Sequence, residues 1–283
     1  MNGFRWGTPL RPALATLALA LMLVAPPALA SSVADSFGGR GMFVHAPASQ
    51  PSAHSRVLVI VLHGGLGNAE RIAGKSAESG LNMDAAADRD GFVVAYLDGT
   101  PVTRRLGPRF LGWNAGGGCC GVPAETNVDD VAYLNGAVAY LADKYGIDPR
   151  RVYGMGHSNG AMMVQRLLCE SDLLAAGVAI SGPLNLPVER CPAAKGKRVL
   201  AIHGADDANV PLGGGRGTKG LSGVAYSSEA RAEQVVTASG GQYTLDVVPG
   251  ADHMLDHIQT AIMKAEGVSI ADKAVRFFGL SKP

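Results

Sequence analysis

The sequence predicts an α/β domain built on a mostly parallel, doubly wound sheet with helices on both faces, and three observations carry that expectation. The runs Arg56 to Leu62 (RVLVIVL) and Phe92 to Leu97 (FVVAYL) are apolar almost throughout, as strands buried on both faces of a parallel sheet are. Strand-like and helix-like stretches alternate along most of the chain, the pattern of repeated crossover connections. Finally, Val152 to Gly156 leads through Gly156-His157-Ser158-Asn159-Gly160 into a stretch, Ala161 to Glu170, whose apolar residues recur at helical spacing. That is a strand, a sharp turn and a helix.

Residues 1–30 read as a targeting segment. Arg5 and Arg11 precede an Ala- and Leu-rich run from Ala13 to Ala25, followed by Pro26-Pro27 and the small-x-small site Ala28-Leu29-Ala30. This is the layout of a secretory signal peptide, and the apolar run is short for a membrane-spanning helix. Residues 31–283 are then expected as one exported catalytic-sized domain, secreted or periplasmic, with no membrane association after cleavage. The formal net charge of +1 argues against an electrostatic nucleic-acid surface.

Gly41 to Ala46 is a first short strand. Arg56 to Leu62 ends at His63-Gly64-Gly65-Leu66-Gly67-Asn68, a glycine loop at a strand end. A helix over 82–90 and the strand 92–97 follow. The segment 98–126 reads as a loop containing Trp113-Asn114 and Cys119-Cys120. Trp113 is a candidate wall for a substrate, with packing over a disulfide as the other reading. Asn127-Val128-Asp129-Asp130 opens a helix to about Tyr145, and its acidic residues are read as capping and dipole-answering groups rather than metal or acid–base groups. Two more strands are expected at 177–181 and 198–203, then an edge-like alternating strand at 242–248. The helices at 228–238 and 269–278 are expected as the last ones.

Four cysteines, Cys119, Cys120, Cys169 and Cys191, suit an oxidising compartment. Their spacing lacks CxxC, so no metal is expected. One or two bridges are expected to tie the loop around residue 119 to later segments. Gly215 to Gly220 matches GxGxxG but follows no strand and opens no helix, so it reads as a loop and not as a dinucleotide site.

The chemistry-bearing residues are arranged in one order. Ser158 at the tip of the strand–turn–helix unit is a candidate nucleophile, and the helix N-terminus behind it favours developing negative charge. Catalytic groups of such sheets collect at the carboxyl ends of strands. Beyond the strand ending at His203 lie Asp206 and Asp207; Asp207 has the better loop position and Asp206 is the second candidate. Beyond the strand ending at Val248 lies His253, with His257 as competitor. Ser158, Asp207, His253 is the chain order of an α/β-hydrolase triad, for which His45, His54 and His63 come too early. Backbone N–H groups of Gly65 and Asn159 are the candidate oxyanion donors.

The segments WNAGGGCCG, NVDDVAYL, GMGHSNGAMM and HGADDANVP, within residues 38 to the C-terminus, resemble the secreted esterases of the polyhydroxybutyrate depolymerase family, relatives of feruloyl and acetylxylan esterases. The resemblance implies an α/β-hydrolase fold, ester hydrolysis without a cofactor, Ser158 as nucleophile, Asp207 as acid and His253 as base. Met254-Leu255-Asp256 stands where that family often has an aromatic–proline pair after the histidine. Depolymerases that act on crystalline polyester tend to carry a linker and a polymer-binding module, and neither is expected here, so small esters or soluble oligoesters, including short-chain and hydroxyalkanoate esters, are the expected substrates. An acyltransferase, a serine peptidase of the same fold and a non-catalytic binding protein are the rival expectations.

Overall fold

The computed structural model describes residues 32–281 except 50, 75–78, 104, 106 and 221, together with residues 1 and 3. The expected signal peptide over 1–30 lies outside the described residues, apart from those two.

Eight strands form the main sheet: β1 Val33–Phe37, β2 Arg40–His45, β3 Arg56–Leu62, β4 Val93–Leu97, β5 Ile147–His157, β6 Ala176–Ile180, β7 Arg198–Gly204 and β8 Gln242–Val248. Their order is β1-β2-β4-β3-β5-β6-β7-β8. From β4 through β8 every neighbouring pair is parallel, whereas β1 and β2 join antiparallel. Strand order reverses around β3 and β4, which leaves the carboxyl ends of β3, β5, β7 and β8 available on one rim.

The apolar runs of the sequence explain why this sheet is covered on both faces. Along β3, Leu58, Ile60 and Leu62 pack into one core cluster while Val57, Val59 and Val61 pack into the other. The first cluster includes Leu134, Val138 and Leu141 of α4 (Asp130–Tyr145), Met163, Val164 and Leu167 of α5 (Asn159–Glu170), and Val235 of α6 (Glu229–Ala238). The second holds Ile72 of α1 (Ala69–Ala73), Ala87 of α2 (Asp84–Asp90), Ile258 and Ile262 of α7 (Leu255–Glu266), and Val275 and Phe278 of α8 (Ile270–Phe278). Each of the Val, Leu, Ile, Met and Phe side chains among them contributes roughly 1.5–3 kcal/mol by leaving water, so the two faces together define the domain. The remaining helix, α3 (Val122–Glu125), and the two-residue strands Thr100–Pro101 and Leu111–Gly112 lie in the segment expected as plain loop. Among the described residues no helix is long and apolar enough to cross a membrane.

Three expectations need correction. Helix α7 was not expected, although Leu255, Ile258 and Ile262 recur at helical spacing in the sequence and are buried along one side of it. Strand β1 was likewise missed: its residues are exposed or half-buried, so it lacks a buried apolar run, and it is held by its antiparallel pairing with β2 and by Phe37 packing on Tyr133 and Tyr140. The loop around residue 119 is not tied to later segments by a disulfide: Cys119 pairs with Cys120, and Cys169 with Cys191. The loop instead closes on itself through hydrogen bonds from Cys119 N–H to Gly116 O and from Ala115 N–H to Cys119 O, which a run of left-handed glycines at 116–118 permits. The bridge between Cys169 and Cys191 fastens the end of α5 to the segment leading into β7.

Candidate active site

Ser158 sits at the junction of β5 and α5 with φ 54° and ψ −121°, a backbone conformation L-residues rarely adopt. Close approach on both sides holds it there. A Cβ on Gly160 would lie 2.3 Å from Leu62 O and 2.5 Å from His63 O, and one on Gly156 would lie 2.6 Å from Gly160 C and O. Only glycine lets the start of α5 cross the ends of β3 and β5 at backbone contact. The Ser158 N–H donates to Ile180 O of β6 at 2.8 Å, completing the clamp.

The other two members of the expected set reach this turn from distant loops. His253 Nε2 is 2.9 Å from Ser158 Oγ, and His253 Nδ1 is 2.7 Å from Asp207 Oδ2. Asp207 is held by its own turn, since its Oδ1 accepts from Asn209 N–H and Val210 N–H, each at 2.8 Å. Asp206 is exposed, and His257 is an exposed residue bonded to Asp252 at 2.8 Å, so neither competitor joins the cluster. The GxGxxG segment forms the two-residue strand Gly215–Arg216 paired with Ala225–Tyr226, and a Cβ on Gly217 would fall 2.0 Å from Asn209 O. It is a loop packed beside the acid turn.

Gly64 and Gly65 lie over the serine turn. A Cβ on Gly64 would be 3.5 Å from Ser158 Cβ, and one on Gly65 would be 3.8 Å from Asn159 Cβ. Hydrogen bonds from Leu66 N–H to Leu111 O and from Leu111 N–H to Gly67 O fix the loop. Among the described residues the N–H groups of Gly65 and Asn159 donate no hydrogen bond, while the Asn159 side chain is fully engaged, accepting from Trp113 N–H at 2.7 Å and donating to Trp113 O at 3.0 Å.

Trp113 is not a substrate wall. It is 0% exposed, donates its indole N–H to His63 O at 3.1 Å, and packs against the His63 ring, because its flat apolar body fills the space beneath the glycine loop. Asp130 also departs from the capping expectation: Asp129 caps α4, whereas Asp130 is wholly buried, paired with Arg40, and accepts from Asn114 N–H at 2.6 Å. It anchors the Trp113–Asn114 loop.

Three further histidines surround the set. His63 accepts from Gly99 N–H at Nε2 and donates from Nδ1 to Gly64 O, so it is neutral; burial lowers it to about 4. His157 donates from Nε2 to the His253 carbonyl at 2.9 Å; burial, then the neighbouring His253, lowers it to about 3. His203 on β7 is also buried, but its Nδ1 faces Glu229 Oε1 at 2.7 Å and its Nε2 faces Val210 O at 2.8 Å and Asp207 Oδ2 at 3.3 Å. Burial would lower it, yet hydrogen bonds with Asp207 and Glu229 raise it to about 9. For Asp207, burial pushes upward, and hydrogen bonds from His203 and His253 overcome this and hold the carboxyl well below the ordinary carboxylate range. Sequence reading missed His203, Glu229, His157 and His63 as members of this constellation. The only signal for them was position: three lie at the carboxyl ends of strands, and Glu229 lies in the first turn of α6.

A set of serine, imidazole and carboxylate joined in this way can generate an oxygen nucleophile, and two free backbone N–H groups beside it can receive negative charge. No family model matches the chain. It is 34% identical over 180 residues to the protein named "Putative esterase NocK" of Nocardia uniformis subsp. tsuyamanensis, a match covering 62% of this chain and 47% of that protein. It is 31% identical over 142 residues to feruloyl esterase B of Piromyces equi, covering 49% of this chain and 24% of that protein. The matches thus span less than half the length of these relatives. Among solved structures, an S-formylglutathione hydrolase from Agrobacterium tumefaciens superposes with a TM-score of 0.59 at 14% identity, covering 88% of this chain and 94% of that one. The chain has the α/β-hydrolase fold, and esterases are among its homologues.

Proposed function

We propose that this protein is an exported serine ester hydrolase that works through an acyl-enzyme, with Ser158 as nucleophile, His253 as base and Asp207 as acid. The supporting observation is the hydrogen-bonded run Ser158 Oγ, His253 Nε2, His253 Nδ1, Asp207 Oδ2 at 2.9 and 2.7 Å. An ionised Asp207 requires the His253 proton at Nδ1, which leaves the Nε2 lone pair for the serine hydroxyl.

The steps follow from that tautomer. His253 Nε2 takes the Ser158 proton as Oγ attacks the ester carbonyl carbon, and the N–H groups of Gly65 and Asn159 receive the oxyanion. The protonated imidazole gives its proton to the leaving alkoxide, freeing the alcohol. Water, deprotonated by the same nitrogen, then attacks the acyl-serine, and the imidazolium returns that proton to the departing Ser158 Oγ, releasing the carboxylic acid and restoring the enzyme. Loss of one backbone donor would cost on the order of 3 kcal/mol in the transition state.

The substrates proposed are short-chain or hydroxyalkanoate esters, from the polyhydroxybutyrate depolymerase-like motifs. A second reading, ester cleavage of hydroxycinnamate groups, is favoured by the relatedness to a feruloyl esterase. The bridge between Cys169 and Cys191 suits the oxidising compartment that the leader-like residues 1–30 imply. The test is labelling by a fluorophosphonate probe together with turnover of short aryl esters, methyl ferulate, acetylated xylan and 3-hydroxybutyrate oligomers. Ser158→Ala is expected to lose both labelling and turnover, and retained labelling would move the nucleophile elsewhere.

A further inference from the structure

Beyond the serine, the base and the acid, one buried side chain is arranged as though charge were its purpose. The ring of His203 is 0% exposed, and each of its nitrogens meets only acceptors: the Glu229 carboxylate at Nδ1, the Val210 carbonyl and the Asp207 carboxylate at Nε2. A neutral imidazole would turn a lone pair toward one of these oxygens, whereas an imidazolium satisfies both sides. Glu229 is buried too, and its second oxygen accepts from the Tyr243 hydroxyl, which accepts from Gln165 Nε2 at 3.3 Å. The structure therefore contains a continuous polar run from α5 and β8, through α6 and β7, to the acid turn.

We infer that His203, kept as an imidazolium by Glu229, is a positioning residue that holds the Asp207 carboxylate in place and shares its charge with His253. This inference rests on the hydrolase reading above. Asp207 Oδ2 lies between two imidazoles, His253 Nδ1 at 2.7 Å and His203 Nε2 at 3.3 Å, while Oδ1 is taken by the turn amides. The carboxylate is thus fixed from three directions, and it can rotate toward neither ring without giving up the other. The positive ring also withdraws part of the field that Asp207 exerts on His253. The upward displacement of His203 to about 9 accords with this arrangement.

The ionisable groups around His203 are few. Glu229 faces it from α6, Asp207 from the turn after β7, Tyr243 from β8 by way of Glu229, His253 from the loop after β8, His157 from β5, and Tyr226 acts on Asp207 from the strand pair beside the turn. Burial holds His157 neutral near its site, and it also holds the Tyr226 hydroxyl above its ordinary range. The charges that His253 meets by way of the acid are therefore those of Asp207, His203 and Glu229.

Glu229→Gln tests this without changing shape. The amide can donate to Nδ1 of a neutral ring that still donates from Nε2, so hydrogen bonds survive and the ion pair does not. The pair is a dipole with its positive end toward Asp207, so removing it makes the field on His253 more negative. The acid-side midpoint of kcat/KM for 4-nitrophenyl acetate is expected to rise by about half a pH unit, with KM within about twofold of the parent. Glu229→Asp, which keeps a carboxylate, is expected to bring the midpoint back toward that of the parent.

A second readout needs no turnover. In the full chain labelled with ¹⁵N-histidine, one of the seven rings should carry protons on both nitrogens at pH 7.5, and its signal should vanish in His203→Gln. A neutral His203 ring at pH 7.5 overturns the inference, as does an acid-side midpoint that is the same in Glu229→Gln as in the parent. Should the parent protein neither label with fluorophosphonate nor cleave esters, the hydrolase reading fails instead, and the ring measurement still reports the state of His203.

Discussion

The two halves of the candidate site use the same residue type in opposite states. On the nucleophile side, His63 and His157 are buried and neutral, one accepting a backbone N–H and the other donating to a backbone carbonyl. On the acid side, His203 is just as buried but stands between two carboxylates. Burial alone would neutralise all three, so the partners decide which ring keeps its charge. The halves also differ in what fixes the reacting side chain. Ser158 is held in its unusual backbone conformation by close backbone approach at Gly156 and Gly160, whereas the Asp207 carboxylate is held by hydrogen bonds to two turn amides and by two imidazoles.

That contrast can be broken one half at a time. Removing the acid's charge with Asp207→Asn is expected to lower kcat by about 10⁴-fold, because the imidazole then loses the partner that sets its tautomer; steady-state kinetics on a chain shown to be folded would measure it. Gly160→Ala attacks the other half sterically. Its methyl would meet the Leu62 and His63 carbonyls, and a loss of about 3 kcal/mol in urea unfolding is expected, with little dependence on pH.

The histidines themselves predict a dome in stability against pH. His63 and His157 titrate lower in the folded chain than the ordinary value of 6.5, so the unfolded chain takes up protons first and stability falls as pH drops from about 6.5 toward 4 and 3. Depression of Asp207 removes further stability on that side, below the ordinary carboxylate range. His203 titrates higher than 6.5, so its contribution is complete below that value and is lost as pH rises through about 9. The alkaline loss is expected to be on the order of 2 kcal/mol and to disappear in Glu229→Gln, leaving the acid side of the dome in place. A dome that narrows equally on both sides in that variant would contradict the division between the halves.

The smallest expected effect sharpens the steric half. Ser158 adopts a left-handed backbone conformation, so Ser158→Gly should raise unfolding stability by about 1 kcal/mol while removing the hydroxyl, and thermal melts of the two chains would show it.

Much of this site can be read in the sequence. The serine turn is a local event: a short apolar run, two glycines at the crossing and an apolar helix are all written within twenty residues. Asp207 and His253 could be named because a parallel sheet delivers the residues after its strands to one rim, and the chain order then narrows the candidates. The structure brings them within hydrogen-bonding distance of one another and leaves Asp206 and His257 outside. Trp113 misled because a tryptophan among glycines looks exposed in sequence, yet its ring is buried against His63 and its indole N–H is taken by the His63 carbonyl. Cys119 and Cys120 misled because long-range bridges are the usual expectation, whereas this loop folds back within itself.

By itself, then, the sequence determined the alternation of strands and helices, the glycine-built serine turn and the rim at which its partners would be found, since each depends on local periodicity or on chain order. Only the tertiary structure decided which histidines are charged and which carboxylate is gripped from three sides. Glu229 and His203 are 26 residues apart, and charge state in a buried site depends on what lies within about 3 Å in space, which adjacency along the chain does not encode.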